Sequence, residues 1–219
     1  EPTRLEVVRG WRGASYFDID VAGRAAHSGR PSDGASAIEA AAKVIALIDD
    51  DQRRMAADPD PLLGYGTWNV GTIEGGQGIS VVAPNCHMGV DRRLMPGEDV
   101  KEIGLRLAGQ IRAAGIDGDG IEVVVTPTMY LPGFATAEGH PLVTETAQAV
   151  RGSGAETRVG GWSAACDGGW TSNALGIPTI VMGPGDINGQ AHQPDESVEL
   201  SELVTAAQAY VRTALALLS

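Results

Sequence analysis

The chain has 219 residues, of which 43% are hydrophobic, 20% charged and only 5% aromatic, with a formal net charge of −12. The length allows one large domain or two small ones, and the composition is that of a soluble globular protein whose core rests on Val, Ile, Leu and Ala. The acidity argues against nucleic acid or an anionic membrane surface as a partner, since both demand a basic face.

Residues 14–21 alternate in the manner of a strand, and Gly23 marks a turn. Residues 35–48 are rich in helix formers, with Ile38, Ala41, Ala42, Ile45 and Ile48 forming one apolar stripe. Asp58-Pro-Asp-Pro61 breaks that helix. Residues 67–73 and 86–94 read as strands, separated by the turn-forming Glu-Gly-Gly-Gln-Gly of residues 74–78. A second amphipathic helix spans 99–114, with Val100, Ile103, Leu107 and Ile111 on one face, and a β-branched strand follows at 121–126. The order strand, helix, strand, strand, helix, strand is that of a ferredoxin-like unit, an antiparallel sheet with two helices on one face.

After Tyr130-Leu-Pro-Gly-Phe134 the texture changes. Helices are expected at 141–150, 167–175 and 200–218, with short strands at 157–159 and 178–182, an α/β pattern with parallel pairing. The expected organisation is therefore a catalytic-domain segment at 1–10, a lid or dimerisation domain at 11–127 and the C-terminal part of a catalytic domain at 128–219. Two or three strands and three helices make a poor core for that last block, unless more polypeptide joins it.

Cys86 and Cys166 make neither a disulfide framework nor a C-x-x-C pair, so a reducing cytoplasm is the simplest context. No apolar run reaches the ~18 residues needed to span a bilayer. Glu-Pro-Thr-Arg at the start has neither the basic nor the apolar region of a signal peptide, and the absent initiator Met leads to the expectation of a longer parent.

Four histidines carry the candidate chemistry. His192 follows a strand-like run, Gly183-Pro-Gly185 and a polar loop; a strand's C-terminal end is where open α/β sheets place ligands, and a neutral imidazole there is a zinc ligand. The rival reading is a capped surface-loop histidine. His27, in Ala-Ala-His-Ser-Gly-Arg-Pro, is either a turn histidine or a donor to a developing oxyanion. His87, within a strand, and His140, at a helix start, read as structural. Arg92 and Arg93 project to opposite strand faces, so at most one clamps a carboxylate, and either is equally a surface ion-pair partner.

Taken in order, Glu1-Pro-Thr, Val21-Ala-Gly-Arg-Ala-Ala-His-Ser-Gly-Arg-Pro, Gly71-Thr-Ile-Glu-Gly-Gly, Ser80-Val-Val-Ala-Pro-Asn with Asp91-Arg-Arg, and Gly183-Pro-Gly with Ala191-His-Gln-Pro-Asp-Glu are similar to the zinc aminoacylase and carboxypeptidase family. Its members include acetylornithine deacetylase, succinyl-diaminopimelate desuccinylase and glutamate carboxypeptidase. The resemblance implies a zinc-binding α/β catalytic domain with an inserted lid that forms homodimers. It implies metal-dependent hydrolysis of an amide in an N-acyl amino acid or small peptide, with two Zn2+ per site and Co2+ or Mn2+ as alternatives. Glu1 and His192 would be metal ligands. His27 would polarise the scissile carbonyl in the partner subunit's site. Arg93 would hold the substrate carboxylate, and Gly183 and Gly185 would line the pocket. Ser80 stands where the family has an Asn that holds substrate, with Asn85 an imperfect substitute. The family's His-x-Asp ligand pair, bridging carboxylate and Glu-Glu pair all match positions preceding Glu1, so the chain alone is expected to be inactive. The alternatives are a catalytically incomplete dimerisation or substrate-binding piece, or a dipeptidase or carbamoyl-amino-acid hydrolase of the same family.

Overall fold

The structure, a computed structural model, describes residues 1–190 and 193–219. The chain forms two compact units, one of residues 1–12 with 133–219, the other of residues 13–132. It opens the first unit with strand β1 (Val7–Trp11) and passes directly into the second.

There β2 (Gly13–Ala22) turns Phe17, Ile19 and Val21 inward and Tyr16, Asp18 and Asp20 outward, the two-residue period of a strand with one covered face. Helix α1 (Ala37–Ala56), β3 (Thr67–Gly75), β4 (Asn85–Leu94), α2 (Val100–Ala113) and β5 (Glu122–Leu131) follow. The sheet order is β3-β4-β2-β5, all antiparallel. Phe17 lies opposite Val90, Ile19 opposite Met88 and Val21 opposite Cys86. These side chains form one core with Val44 and Ile48 of α1 and Ile103, Leu107 and Ile111 of α2, so both helices cover the same sheet face.

The α2 face matches its sequence pattern, but the α1 face is rotated. Ala37, Ala40, Ala41, Val44 and Ile48 are buried, whereas Ile38 and Ala42 are exposed. The small side chains at 37, 40 and 41 let the helix approach the strands closely, which a stripe through Ile38 would prevent. Between β4 and α2 the turn Met95-Pro96-Gly97-Glu98 closes with Glu98 N–H donating to the Met95 carbonyl at 3.1 Å. Proline presets its second position and Gly97, at φ +85°, takes the left-handed third.

The first unit resumes with β6 (Phe134–Ala135), α3 (Pro141–Gly152), β7 (Val159–Trp162), α4 (Gly168–Leu175), α5 (Ile187–Gln190) and α6 (Leu200–Leu218). Its sheet is β6-β1-β7, with β1 parallel to β7 and antiparallel to β6. The two units thus carry one mixed and one antiparallel sheet. Val7 packs with α3 and α6 residues, and Val8 and Trp11 pack with Phe134 and Trp162. β1 is therefore buried on both faces, and its short mixed run gave no alternation to read.

Residues 178–182, expected as a strand, contribute a single bridge. Val181 and Val8 exchange N–H···O bonds of 2.9 Å in each direction. β6 already occupies Gly10 and Trp11 of β1, and β7 runs along its other edge. Pro178 has no N–H to extend the pairing.

Candidate functional site

Four of the candidate site residues, His27, Ser80, Asn85 and Arg93, lie in the unit of residues 13–132. His27 and Ser80 sit on adjoining loops laced by backbone bonds: Ser28 N–H donates to the Ser80 carbonyl (3.0 Å) and Val82 N–H to the Ala26 carbonyl (2.9 Å). His27 itself bridges Val81, and its Nδ1 accepts from Gly29 N–H at 3.0 Å. This orients the exposed ring through one nitrogen and leaves Nε2 as its outward atom. Beside it a cleft of about 860 Å³ is lined by Ser28, Ser36, Ile38, Gly76, Ile79 and Val81, among others. Asn85 opens β4 at the same end of the sheet, paired with Ala22, and its carbonyl accepts Gly76 N–H at 3.1 Å.

Arg93 lies near the other end of β4, opposite Ala14 and Thr67. At ~3.4 Å per residue, the eight steps from Asn85 to Arg93 span roughly 27 Å. The unit therefore brings His27, Ser80 and Asn85 together and sets Arg93 apart from them. Arg93 is partly exposed, and its fork is engaged by Asp91 (Nε–Oδ1 2.9 Å, Nη2–Oδ2 3.0 Å).

Arg92 points the other way and is fully buried. Its Nη2 donates to both Glu98 oxygens at 2.7 and 3.0 Å, its Nη1 donates to the Arg93 carbonyl, and its guanidinium lies 5.2 Å from the Trp68 ring centre. Burial pulls its pKa down, and the Glu98 and Asp51 carboxylates oppose that fall. Space for the guanidinium comes from Gly66, where a Cβ would overlap it. Sealed in this way, Arg92 has no path to a ligand.

The other described candidates lie in the unit of residues 1–12 and 133–219. Glu1 is exposed. Thr3 and Leu5 donate their N–H groups to the Gly183 carbonyl (3.1 and 2.9 Å), Arg4 N–H donates to the Gly185 carbonyl (2.8 Å), and a Cβ on Gly183 would lie 2.5 Å from the Glu1 carbonyl oxygen. Glu1, Gly183 and Gly185 thus form one locality. Arg4 (φ +52°) and Leu5 (φ +62°) are both left-handed, a conformation costing roughly 1–2 kcal/mol per non-glycine residue. The Gly183–Asp186 loop holds the strained turn, through those bonds and the Arg4–Asp186 ion pair.

Three residues that sequence reasoning passed over secure this loop. Thr3 is buried; its Oγ1 donates to the Glu6 carbonyl (2.8 Å) and accepts Gly183 N–H (3.1 Å). Glu202 accepts Gly185 N–H at 2.6 Å. Asp186 is disfavoured as a carboxylate by desolvation. Arg4 and the amides of Asn188 and Gly189 outweigh that and hold its pKa below the usual range. Only the Thr of Glu-Pro-Thr carried any signal of this role. A cleft of about 390 Å³ lies beside the loop, lined in part by Pro2, Gly185, Asp186, Gln190 and Glu196. His192, the metal-ligand candidate, lies outside the described residues. Among the described residues no group of three or more His, Cys, Asp or Glu is placed to hold a metal ion. Glu1 by itself does not make a zinc site.

The family model for the peptidase dimerisation domain of M20 peptidases matches residues 9–119, and the chain belongs to that family. It is 28% identical over 205 residues to acetylornithine deacetylase from Aliivibrio fischeri strain MJ11, covering 92% of this chain and 52% of the relative. The chain thus spans about half the length of the curated relatives it matches. Among solved structures, it resembles aminopeptidase PepT from Bacillus cereus with a TM-score of 0.78 at 22% identity, covering 100% of this chain and 56% of that one. An M20 family metallo-carboxypeptidase from Sulfolobus solfataricus gives 0.71 at 19% identity, covering 96% and 59%. At these identities the structures establish a shared fold. No described helix is long and apolar enough to cross a membrane.

Proposed function

We propose that the chain serves a metal-dependent hydrolase of amide bonds in N-acyl amino acids or small peptides, acting as a homodimer through a ferredoxin-like lid formed by the unit of residues 13–132. The deacetylase relative and the peptidase neighbours support the reaction class. The sheet order β3-β4-β2-β5 with both helices on one face supports the lid. The observation that carries the proposal is that His27 lies on the loops at the Asn85 end of β4 and Arg93 near the strand's other end. A substrate a few ångströms across cannot touch both within one unit, but a dimer can offer His27 from one protomer and Arg93 from its partner.

On this reading His27 Nε2 donates to the carbonyl oxygen as charge develops on it. Arg93 holds the substrate carboxylate, exchanging part of its Asp91 fork for the ligand. Ser80 and Asn85 border the His27 side. Glu1 and His192 would be among the ligands of a Zn2+, Co2+ or Mn2+ ion, whose chemistry when bound would be activation of a water. The described donors do not complete such a site. The carboxylate-bearing amide substrate, the absence of nucleic-acid and membrane partners, and a cytoplasmic setting belong to the same proposal.

The test is complementation in the full-length protein. Each of His27→Ala and Arg93→Ala abolishes turnover, and mixing the two dead dimers restores roughly a quarter of wild-type activity, because half the dimers are hybrids with one complete site. No recovery on mixing, with hybrids verified by mass, rejects the shared site. A second reading, a substrate-binding dimerisation piece without turnover, is favoured by the family match itself, whose model is the dimerisation domain. Amidase activity of the 219-residue chain with added zinc removes it.

A further inference from the structure

Arg93 stands on the sheet face that the helices leave open, with little beside it to hold it. Its cross-strand neighbours are Ala14 on β2 and Thr67 on β3, and neither bonds its guanidinium. An arginine so placed is free to move through its rotamers. Asp91, two residues earlier and therefore on the same face, removes that freedom. Its Oδ1 accepts from Nε at 2.9 Å and its Oδ2 from Nη2 at 3.0 Å. The Arg4, Arg53, Arg54 and Arg158 ion pairs each rest on one nitrogen and one oxygen. A fork of two parallel bonds fixes the plane of the guanidinium as well as its position. The edge left over is Nη1 with the second hydrogen of Nη2, and no described residue bonds Nη1. That edge is itself a planar pair of donors, matched in shape to a second carboxylate.

We propose that Asp91 is a positioning residue, which turns the Nη1–Nη2 edge of Arg93 outward to receive the substrate's carboxylate. The inference rests on the reading of Arg93 as the residue that holds that carboxylate. The Nε–Oδ1 bond persists however Nη2 divides its hydrogens between Asp91 and the ligand. The rotamer entropy of Arg93 is thereby lost on folding rather than on binding, and the ligand meets a preset fork. Against this works the charge of Asp91, which repels an incoming carboxylate. The pair is partly exposed, at 34% for Arg93 and 21% for Asp91, so water and salt screen that repulsion while the geometric restraint is undiminished. Orientation is therefore the larger effect. The fold itself has little need of the pair, since a partly exposed ion pair on an open sheet face adds little stability.

The test uses the full-length protein and a panel of N-acyl amino acids and dipeptides. The member turned over fastest is compared with its α-carboxamide, followed as substrate or as competitive inhibitor. Asp91→Ala should raise KM for the carboxylate substrate roughly tenfold, with kcat within about twofold of wild type and Tm nearly unchanged. Asp91→Asn keeps an acceptor for Nε without the charge, so its KM should fall between those of wild type and Asp91→Ala. Were charge alone at work, the two neutral variants would match. Asp91→Ala should leave the carboxamide's kcat/KM or Ki nearly unchanged, because that ligand has no carboxylate to align. Should Asp91→Ala not fold, Asp91→Asn carries both comparisons. The inference is overturned if Asp91→Ala leaves KM unchanged or lowers it, if the alanine and asparagine variants share one KM, or if the carboxamide suffers equally. Arg93→Ala inactive beside an unaffected Asp91→Ala overturns the inference alone. Full activity of Arg93→Ala, or no turnover of any panel member, overturns the reading of Arg93 and the inference with it.

Discussion

Adjacent arginines show what one residue of register decides. Arg92 and Arg93 are chemically identical, yet one is a core residue and the other lies on the accessible face. The alternation of a strand made their divergence legible; which of the two faces inward follows only from the helices above, and from Gly66 leaving space for a guanidinium. Arg92 bridges Glu98, in the turn before α2, to Trp68 on β3. Arg92→Ala should destabilise the protein by about 2–4 kcal/mol, less than for a fully buried pair because Glu98 is partly solvated. Adding Glu98→Gln should recover part of the loss, since it removes the stranded charge. A urea midpoint unchanged in the single variant would show that Arg92 is not structural.

His87 is a residue whose role the sequence hid. Strand alternation alone reads it as structural, but its Nδ1 lies 2.9 Å from Asp20 across the β2–β4 pair, and its Nε2 is 4.0 Å from Asp18. The Asp20 hydrogen bond, followed by the charges of Asp20, Asp18 and Glu74, raises its pKa above the usual 6.5. The folded state thus favours the protonated ring. The stabilisation is fully present below the unfolded value and is lost as pH rises through the raised one. Asp20→Asn should move the NMR titration of His87 back toward 6.5 and flatten the fall in stability across that window. An unmoved titration would assign the shift to another group.

At the scale of elements, legibility followed the size of the periodic signal. The α2 stripe Val100, Ile103, Leu107 and Ile111 is buried as its spacing required. Asp99 caps that helix, accepting the N–H groups of Lys101 at 2.7 Å and Glu102 at 3.1 Å. Asp99→Ala should cost about 1 kcal/mol, and Asp99→Asn much less, because an amide oxygen still accepts. Equal losses in denaturant unfolding for the two would make the charge, not the cap, the source. β1 went unread because five residues buried on both sides show no alternation. Residues 178–182 have strand composition but only a fragment of edge to pair with, and edge occupancy is a property of the assembled sheet. At the candidate site, motif order pointed to Glu1, Gly183 and Gly185. The Thr3 and Asp186 contacts that hold them depend on residues some 180 apart meeting, and the Glu202 contact on a helix 17 residues past Gly185, none of which a local pattern reports.

At the scale of the molecule, the two units differ in how much of what they need they contain. The unit of residues 13–132 has a closed ledger of elements: four paired strands, two helices on one face, and a continuous core running from Phe17 to Ile116. It is also inserted between two stretches, 1–12 and 133–219, that pair with each other through β1, β6 and β7. A unit whose core draws on no residue outside its own span should fold when excised. Residues 13–132 alone should therefore unfold in a single cooperative urea transition, with a slope of roughly 1–3 kcal/mol/M. They should run as a dimer in light scattering if the family's dimerisation surface lies wholly within them. Residues 1–12 and 133–219 joined by a short Gly-Ser linker should do neither as well, because Leu200, Leu215 and Leu218 of α6 stay in water. A broad, non-cooperative transition for residues 13–132 would mean that their core depends on the flanking stretches after all, and that the division visible in the contacts is not a division in stability.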